Sequence, residues 1–235
     1  LDAEHQSEFF HRYVLGTYEL MDRLVTTFPD LLLENCSGGG GRFDAGMLYY
    51  SPQIWTSDNT DAVDRVFIQY GTSLCYPTST MGAHVSAARR TPFSVRGDVA
   101  LWGSFGYELD PRKMTEEEKE MVKAQIAEYH KYYDVIHYGD LYRLLCPWED
   151  HRFAVWQFVS QDKKEALVTK VTLDNVWDHF QVIRLRGLDP NMTYHCPELD
   201  LTCSGALLMN AGINMTNIAT WSFSSAKLSF YAVEN

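Results

Sequence analysis

The chain has 235 residues, 20 basic and 31 acidic, with a formal net charge of −11. Hydrophobic residues make up 46% of it, enough to bury one large core or two smaller ones. That acidic balance disfavours nucleic acid or an anionic membrane surface as a partner. No apolar run is long enough to span a bilayer, and no basic leader with an apolar core opens the chain.

Residues 7–28 carry Phe10, Tyr13, Val14, Thr17, Met21, Leu24, Val25 and Phe28 at helical spacing, which predicts a helix with one buried face. Pro29 and Asp30 end it. The apolar run 31–33 then predicts a short strand buried on both faces, and it leads into Glu34, Asn35, Cys36, Ser37 and four glycines, Gly38 to Gly41. A second buried strand is expected at 54–56, ending in Ser57 and Asp58. Thr60 or Asn59 is placed to cap the next helix, with Ala62, Val63, Val66, Phe67 and Tyr70 on its apolar stripe and Gly71 at its end. A third strand is read at 74–76, and residues 96–107 as a helix or a helix and strand. The strongest local signal spans 114–138, where Thr115 and Glu118 form a capping box ahead of a helical repeat. Repeated strand–loop–helix units imply an α/β fold with a parallel sheet and helices outside it, open or closed into a barrel.

After Pro147 the pattern changes. Runs at 153–160, 166–173, 180–186 and 228–233 are β-type, and Gln161 to Lys164 read as a hairpin turn. The reading is a boundary near 147–152, with residues 1–148 in the α/β part and 149–235 in an antiparallel β-sandwich.

Five cysteines (Cys36, Cys75, Cys146, Cys196 and Cys203) contain no C-x-x-C pair. They read as free thiols in a reducing compartment, hence a cytoplasmic protein with no metal site and no cofactor. Sequons at Asn35, Asn191 and Asn214 are taken as chance.

Two strand ends carry the chemistry. Four glycines remove every Cβ, so the backbone can approach a ligand or turn through positive φ; the bland alternative is a flexible surface turn. It is not a phosphate loop, since no G-K-[ST] follows. Cys36 and Ser37, at the end of the strand, would face a pocket. Asp58 reads either as a helix cap or as a general acid, and Trp55, three residues earlier, favours the acid by walling off the carboxyl group. A glycosidase needs a second carboxylate, for which Asp44 and Glu34 are the nearby candidates. His84 falls beyond the third strand, as a polar rim residue or a catalyst.

E-N-C-S-G-G-G-G-R-F-D, P-Q-I-W-T-S-D-N-T-D-A-V-D-R, Q-Y-G-T-S-L-C-Y-P, M-G-A-H-V-S, F-G-Y-E-L-D and L-M-N-A-G resemble, in order along the chain, the bacterial α-galactosidases of glycoside hydrolase family 36. The resemblance implies a retaining enzyme, often tetrameric, with a (β/α)8 barrel followed by a small antiparallel β domain. It implies that Asp58 is the acid/base, and that Cys36, Gly38 and Gly39 bind galactose. The family's nucleophile is an aspartate in a Lys-Trp-Asp motif, which this chain lacks; Lys131 to Asp134 lies on the last helix and is not its equivalent.

Residues 1–148 would therefore be the C-terminal half of the barrel, about strands five to eight. The rest of the enzyme would be the partner that supplies the nucleophile. A half barrel exposes two sheet edges, so the chain is expected to be a truncated or proteolytic piece, or one part of a nicked complex, with little activity alone. The expected substrates are galactose-containing oligosaccharides such as melibiose and raffinose. The competing activities are α-N-acetylgalactosaminidase, galactosyl transfer, or galactose binding without catalysis.

Overall fold

The structure is a computed structural model that describes residues 2, 4–88, 90–149, 152–174 and 181–233. The chain divides into two compact units, Leu1–Asp58 and Asn59–Asn235.

The first unit holds helices α1 (Phe9–Thr27) and α2 (Met47–Tyr50) and strands β1 (Glu34–Asn35) and β2 (Gln53–Ile54). The two strands pair in parallel, Glu34 opposite Gln53 and Asn35 opposite Ile54. The helical period expected at 7–28 is present, but none of α1 is buried. Phe10 is 77% exposed, and Tyr13, Val14 and Phe28 are exposed as well. An amphipathic helix forms from its own spacing, whereas burial needs a facing surface, and among the described residues this face is covered only in part, with Thr17, Met21, Leu24 and Val25 half-buried. The run 31–33 is likewise not a strand: Leu31 and Leu32 are exposed, and pairing begins only at Glu34. With one partner strand instead of two, that apolar run lies outside the ladder.

In the second unit, α3 (Ala62–Thr72), β3 (Gly82–Ser86), α4 (Phe93–Ala100), β4 (Ser104–Glu108) and α5 (Glu116–Tyr138) come first. β3 and β4 run parallel, in register from Gly82 opposite Ser104 to Ser86 opposite Glu108. The third strand is therefore at 82–86 and not at 74–76, where the chain turns out of α3 with Leu74 exposed. Small residues hid it: Gly82, Ala83 and Ser86 lack the bulk that marks a strand, yet Ala83 and Val85 are fully buried. The ambiguous stretch 96–107 resolves into the end of α4 and β4. The capping box of α5 is present, with Thr115 Oγ1 accepting from Glu118 N–H at 3.1 Å and Glu118 Oε2 from Thr115 N–H at 2.9 Å.

The cap of α3 differs from expectation. Asp61, not Asn59 or Thr60, accepts from the Val63 N–H at 2.9 Å, and Arg90 approaches the same oxygen at 3.5 Å. Asn59 instead orients the cap: its Oδ1 accepts from Asp61 N–H at 3.1 Å and its Nδ2 donates to Asp64 Oδ2 at 2.9 Å. Asp61→Ala should therefore cost about 1 kcal/mol of stability, and Asp58→Ala close to nothing by this route. Urea unfolding of both variants checks the pair.

Six antiparallel strands follow as one sheet, in the order β10-β9-β12-β7-β6-β5. They are β5 (Asp140–Leu145), β6 (Phe153–Val159), β7 (Glu165–Thr172), β9 (Thr193–Cys196), β10 (Leu201–Ser204) and β12 (Ser224–Val233). A two-stranded pair, β8 (Val182–Ile183) with β11 (Ile213–Asn214), and helix α6 (Gly205–Asn210) complete the unit. β5 joins this sheet from before residue 147. Only part of the expected strand at 180–186 forms, and Phe180 lies outside the described residues.

All seven residues of β6 are buried, because both sheet faces are covered. Trp156 stacks on Trp102 at 4.2 Å and packs with the core of α3, α4 and α5. Val155 and Val159 belong to a second core with Ile183, Leu185, Tyr194 and Phe230. The expected sandwich is thus unequal, a large sheet with helices on one face and a short strand pair and α6 near the other.

Two lysines brace this unit, Lys227 half-buried and Lys170 fully buried. Lys227, on β12, pairs with Asp98 of α4 and with Glu128 of α5, the latter at 2.6 Å, and the two carboxylates hold its ammonium above the usual range despite burial. Among the described residues, no carboxylate pairs with Lys170. Its Nζ donates to Gln181 Oε1 and Ile218 O, both at 2.7 Å, and burial brings it down to about 8.

Candidate active site

The site builds up from the parallel pair of β1 and β2. Adjacent parallel strands release their chains at the same edge, where α/β enzymes place catalytic loops. After β1 the loop Cys36–Gly41 begins, and after β2 come Trp55, Thr56, Ser57 and Asp58. Trp55 N–H donates to Asn35 O at 2.9 Å, which extends the pairing by one rung toward the loops.

The glycine stretch has one defined backbone path. φ is +107° at Ser37, +59° at Gly38, +73° at Gly39 and +107° at Gly40. Gly41 N–H closes the turn on Ser37 O at 2.9 Å. A Cβ on Gly39 would lie 2.6 Å from the Asp58 amide nitrogen and 2.6 Å from Ser57 Cα. Only glycine permits that approach. Among the described residues, no acceptor pairs with the N–H of Gly38, Gly39 or Gly40. The loop thus presents main-chain donors beside a carboxylate.

Asp58 is exposed, and Trp55 is itself buried at 8% exposure, so the expected desolvating wall does not enclose the carboxyl group. Its other expected role is also settled, since the α3 cap is Asp61. Cys36 is half-buried and Ser37 exposed. The two candidate second carboxylates have other work. Asp44 Oδ1 accepts from Tyr18 Oη at 2.6 Å and from Met47 N–H at 2.7 Å, tying α1 to the start of α2. That contact raises the Tyr18 phenol above its ordinary value. Glu34 accepts from Gln53 Nε2 at 2.7 Å across the strand pair, on the exposed side.

His84 lies within β3, in the second unit, 3.6 Å from Glu108 Oε1 on the neighbouring strand. Lys131 rests against the ring of Tyr132, 4.6 Å from its centroid, and donates to its hydroxyl at 2.9 Å, a packing role on α5. No cluster of three or more His, Cys, Asp or Glu residues suited to a metal ion occurs among the described residues. No helix there is long and apolar enough to cross a membrane.

Sequence reasoning missed Asn35. It is 6% exposed; its Nδ2 donates to Arg42 O at 2.9 Å, and its Oδ1 accepts from Cys36 N–H at 2.9 Å. A polar residue at a strand end just before a glycine run was the available signal.

Comparison with known proteins matches residues 1–139 to the melibiase family and residues 153–230 to the glycosyl hydrolase family 36 C-terminal domain. Alpha-galactosidase Mel36A of Lactobacillus acidophilus is 50% identical over 222 residues, covering 90% of this chain and 30% of its own length. Alpha-galactosidase AgaA of Geobacillus stearothermophilus is 51% identical over 220 residues, covering 91% and 30%. Probable alpha-galactosidase G of Aspergillus terreus is 46% identical over 211 residues, covering 86% and 29%, so the resemblance extends beyond bacteria. The crystal structure of an AgaA variant in complex with raffinose superposes with a TM-score of 0.93 at 47% identity, over 99% of this chain and 33% of that one. The chain spans less than a third of the length of these curated relatives. With a family model covering more than half of its residues, the chain belongs to the melibiase family, the α-galactosidases of glycoside hydrolase family 36.

Proposed function

We propose that this chain is the acid/base-bearing part of a retaining α-galactosidase that releases terminal α-linked galactose from oligosaccharides such as melibiose and raffinose. The observation that carries the reading is the contact between Gly39 and the Ser57–Asp58 backbone, which holds three unpaired amide donors beside an uncapped, exposed carboxylate. The donors suit sugar hydroxyls. Asp58 protonates the departing glycosidic oxygen and then takes the proton of the incoming water. The second carboxylate comes from the rest of the polypeptide, since Asp44 and Glu34 are engaged elsewhere.

On this reading residues 1–148 form about strands five to eight of a (β/α)8 barrel, and 149–235 the C-terminal β domain. The two family models fall on either side of that division. The exposed face of α1 fits a helix whose barrel neighbours lie in the remainder of the enzyme. A cytoplasmic tetramer without metal or cofactor completes the proposal; all five cysteines are free thiols here.

The test is the full-length protein assayed on raffinose, on aryl α-galactoside and on aryl α-N-acetylgalactosaminide, with the anomer of the first-formed sugar read by NMR. Galactoside hydrolysis releasing α-galactose first is expected. A preference for the N-acetylated substrate, or a β-anomer as first product, would overturn it.

A further inference from the structure

Ser37 holds φ at +107°, a region that side-chain-bearing residues rarely adopt. Strain of this kind persists only where the surroundings over-determine it. The Gly41 N–H closes on Ser37 O at 2.9 Å, and the Asn35 side chain, buried at 6% exposure, holds the loop on both sides of Ser37. One amide atom grips each end of the loop: Oδ1 accepts from Cys36 N–H at 2.9 Å, and Nδ2 donates to Arg42 O at 2.9 Å. The main chain of Asn35 is held separately, by its parallel register with Ile54 and by the Trp55 N–H. The strand carrying Asp58 is therefore anchored through backbone, and the glycine loop through a side chain.

We infer that Asn35 is a positioning residue that clamps the Cys36–Arg42 loop into its galactose-binding shape without itself touching the sugar. The inference rests on the function proposed above. Both amide atoms of Asn35 are occupied in the interior, which also leaves its sequon no room for a glycan. Because the clamp and the strand are anchored independently, breaking the clamp should weaken sugar binding more than it slows the chemical step. A residue with a purely structural role would instead lower stability and active-enzyme yield, with the affinity of the surviving enzyme unchanged.

The test compares wild type, Asn35→Ala and Asn35→Asp in the full-length protein, each assayed well below its own Tm and corrected for active-site concentration. Asn35→Asp keeps the acceptor for Cys36 but sets an oxygen against Arg42 O, so both variants should lose the clamp. The inhibition constant for galactose should rise about tenfold in each, about 1.4 kcal/mol, with KM for raffinose rising in parallel and kcat changing far less. An unchanged inhibition constant in Asn35→Ala overturns the inference, as does a wild-type constant in Asn35→Asp. If Asn35→Ala does not fold, the aspartate variant decides alone. A wild-type protein that neither cleaves raffinose nor is inhibited by galactose overturns the function instead, which separates the two failures.

Discussion

Asp58→Asn in the full-length protein should lower kcat/KM on raffinose about 10³-fold, within the usual range for removal of a general acid–base, or about 4 kcal/mol of transition-state stabilisation. The size depends on the leaving group. Cleavage of raffinose expels sucrose as an alkoxide that needs a proton, whereas an activated aryl galactoside expels a phenolate that departs with little help. The loss in the first chemical step should therefore be much smaller for the aryl substrate, and pre-steady-state release of the phenol reads that step directly. Stability should stay within about 0.5 kcal/mol of wild type, since Asp58 is exposed and the helix cap is Asp61. Equal losses on both substrates, or full activity on raffinose, would remove Asp58 from the role of proton donor.

Gly39→Ala should be the most damaging of the glycine substitutions, with kcat/KM down about 10²-fold, as expected when reacting groups shift by about 1 Å. Its new Cβ would meet backbone atoms of Ser57 and Asp58 at 2.6 Å, and backbone cannot swing aside as a flexible side chain can. The loop and the acid would have to separate. Gly38→Ala supplies the contrast: φ there is also positive, but a Cβ would meet nothing within 4 Å. It carries only the left-handed strain of about 1–2 kcal/mol. Steady-state kinetics of both variants on raffinose decide the matter, with a loss at position 38 equal to that at 39 counting against the contact as the organising feature.

What was legible in the sequence depended on whether the signal was local. The capping box at Thr115 and Glu118 and the 23-residue helix behind it form from residues within a turn of one another, and both are present. The hairpin at 161–164 is equally local, with Lys163 turned through positive φ. The strands at 31–33 and 74–76 were misplaced for the opposite reason. A strand exists only where a partner ladder exists, and a short apolar run does not say where its partner lies. The pairing of Glu34 with Gln53, and of Gly82 with Ser104, set the real positions.

The same division runs through the site. Motif resemblance singled out Asp58 and the glycine loop, because each is a contiguous string whose residue types carry the chemistry. Their meeting is tertiary. It requires two parallel strands 19 residues apart in register, Glu34 with Gln53, to end at one edge. The work of Asp44, Asp61 and Asn35 was open by sequence, since a short polar side chain beside a loop can cap, clamp, bind or catalyse. Hydrogen-bond partners decided it: Tyr18 and Met47 for Asp44, Val63 for Asp61, Cys36 and Arg42 for Asn35. By itself, then, the sequence determined the family and the local helices, and it singled out Asp58 and the glycine loop as candidates. Which carboxylates are engaged elsewhere, and how the glycine loop is held beside Asp58, needed the fold, because both depend on contacts between residues distant along the chain.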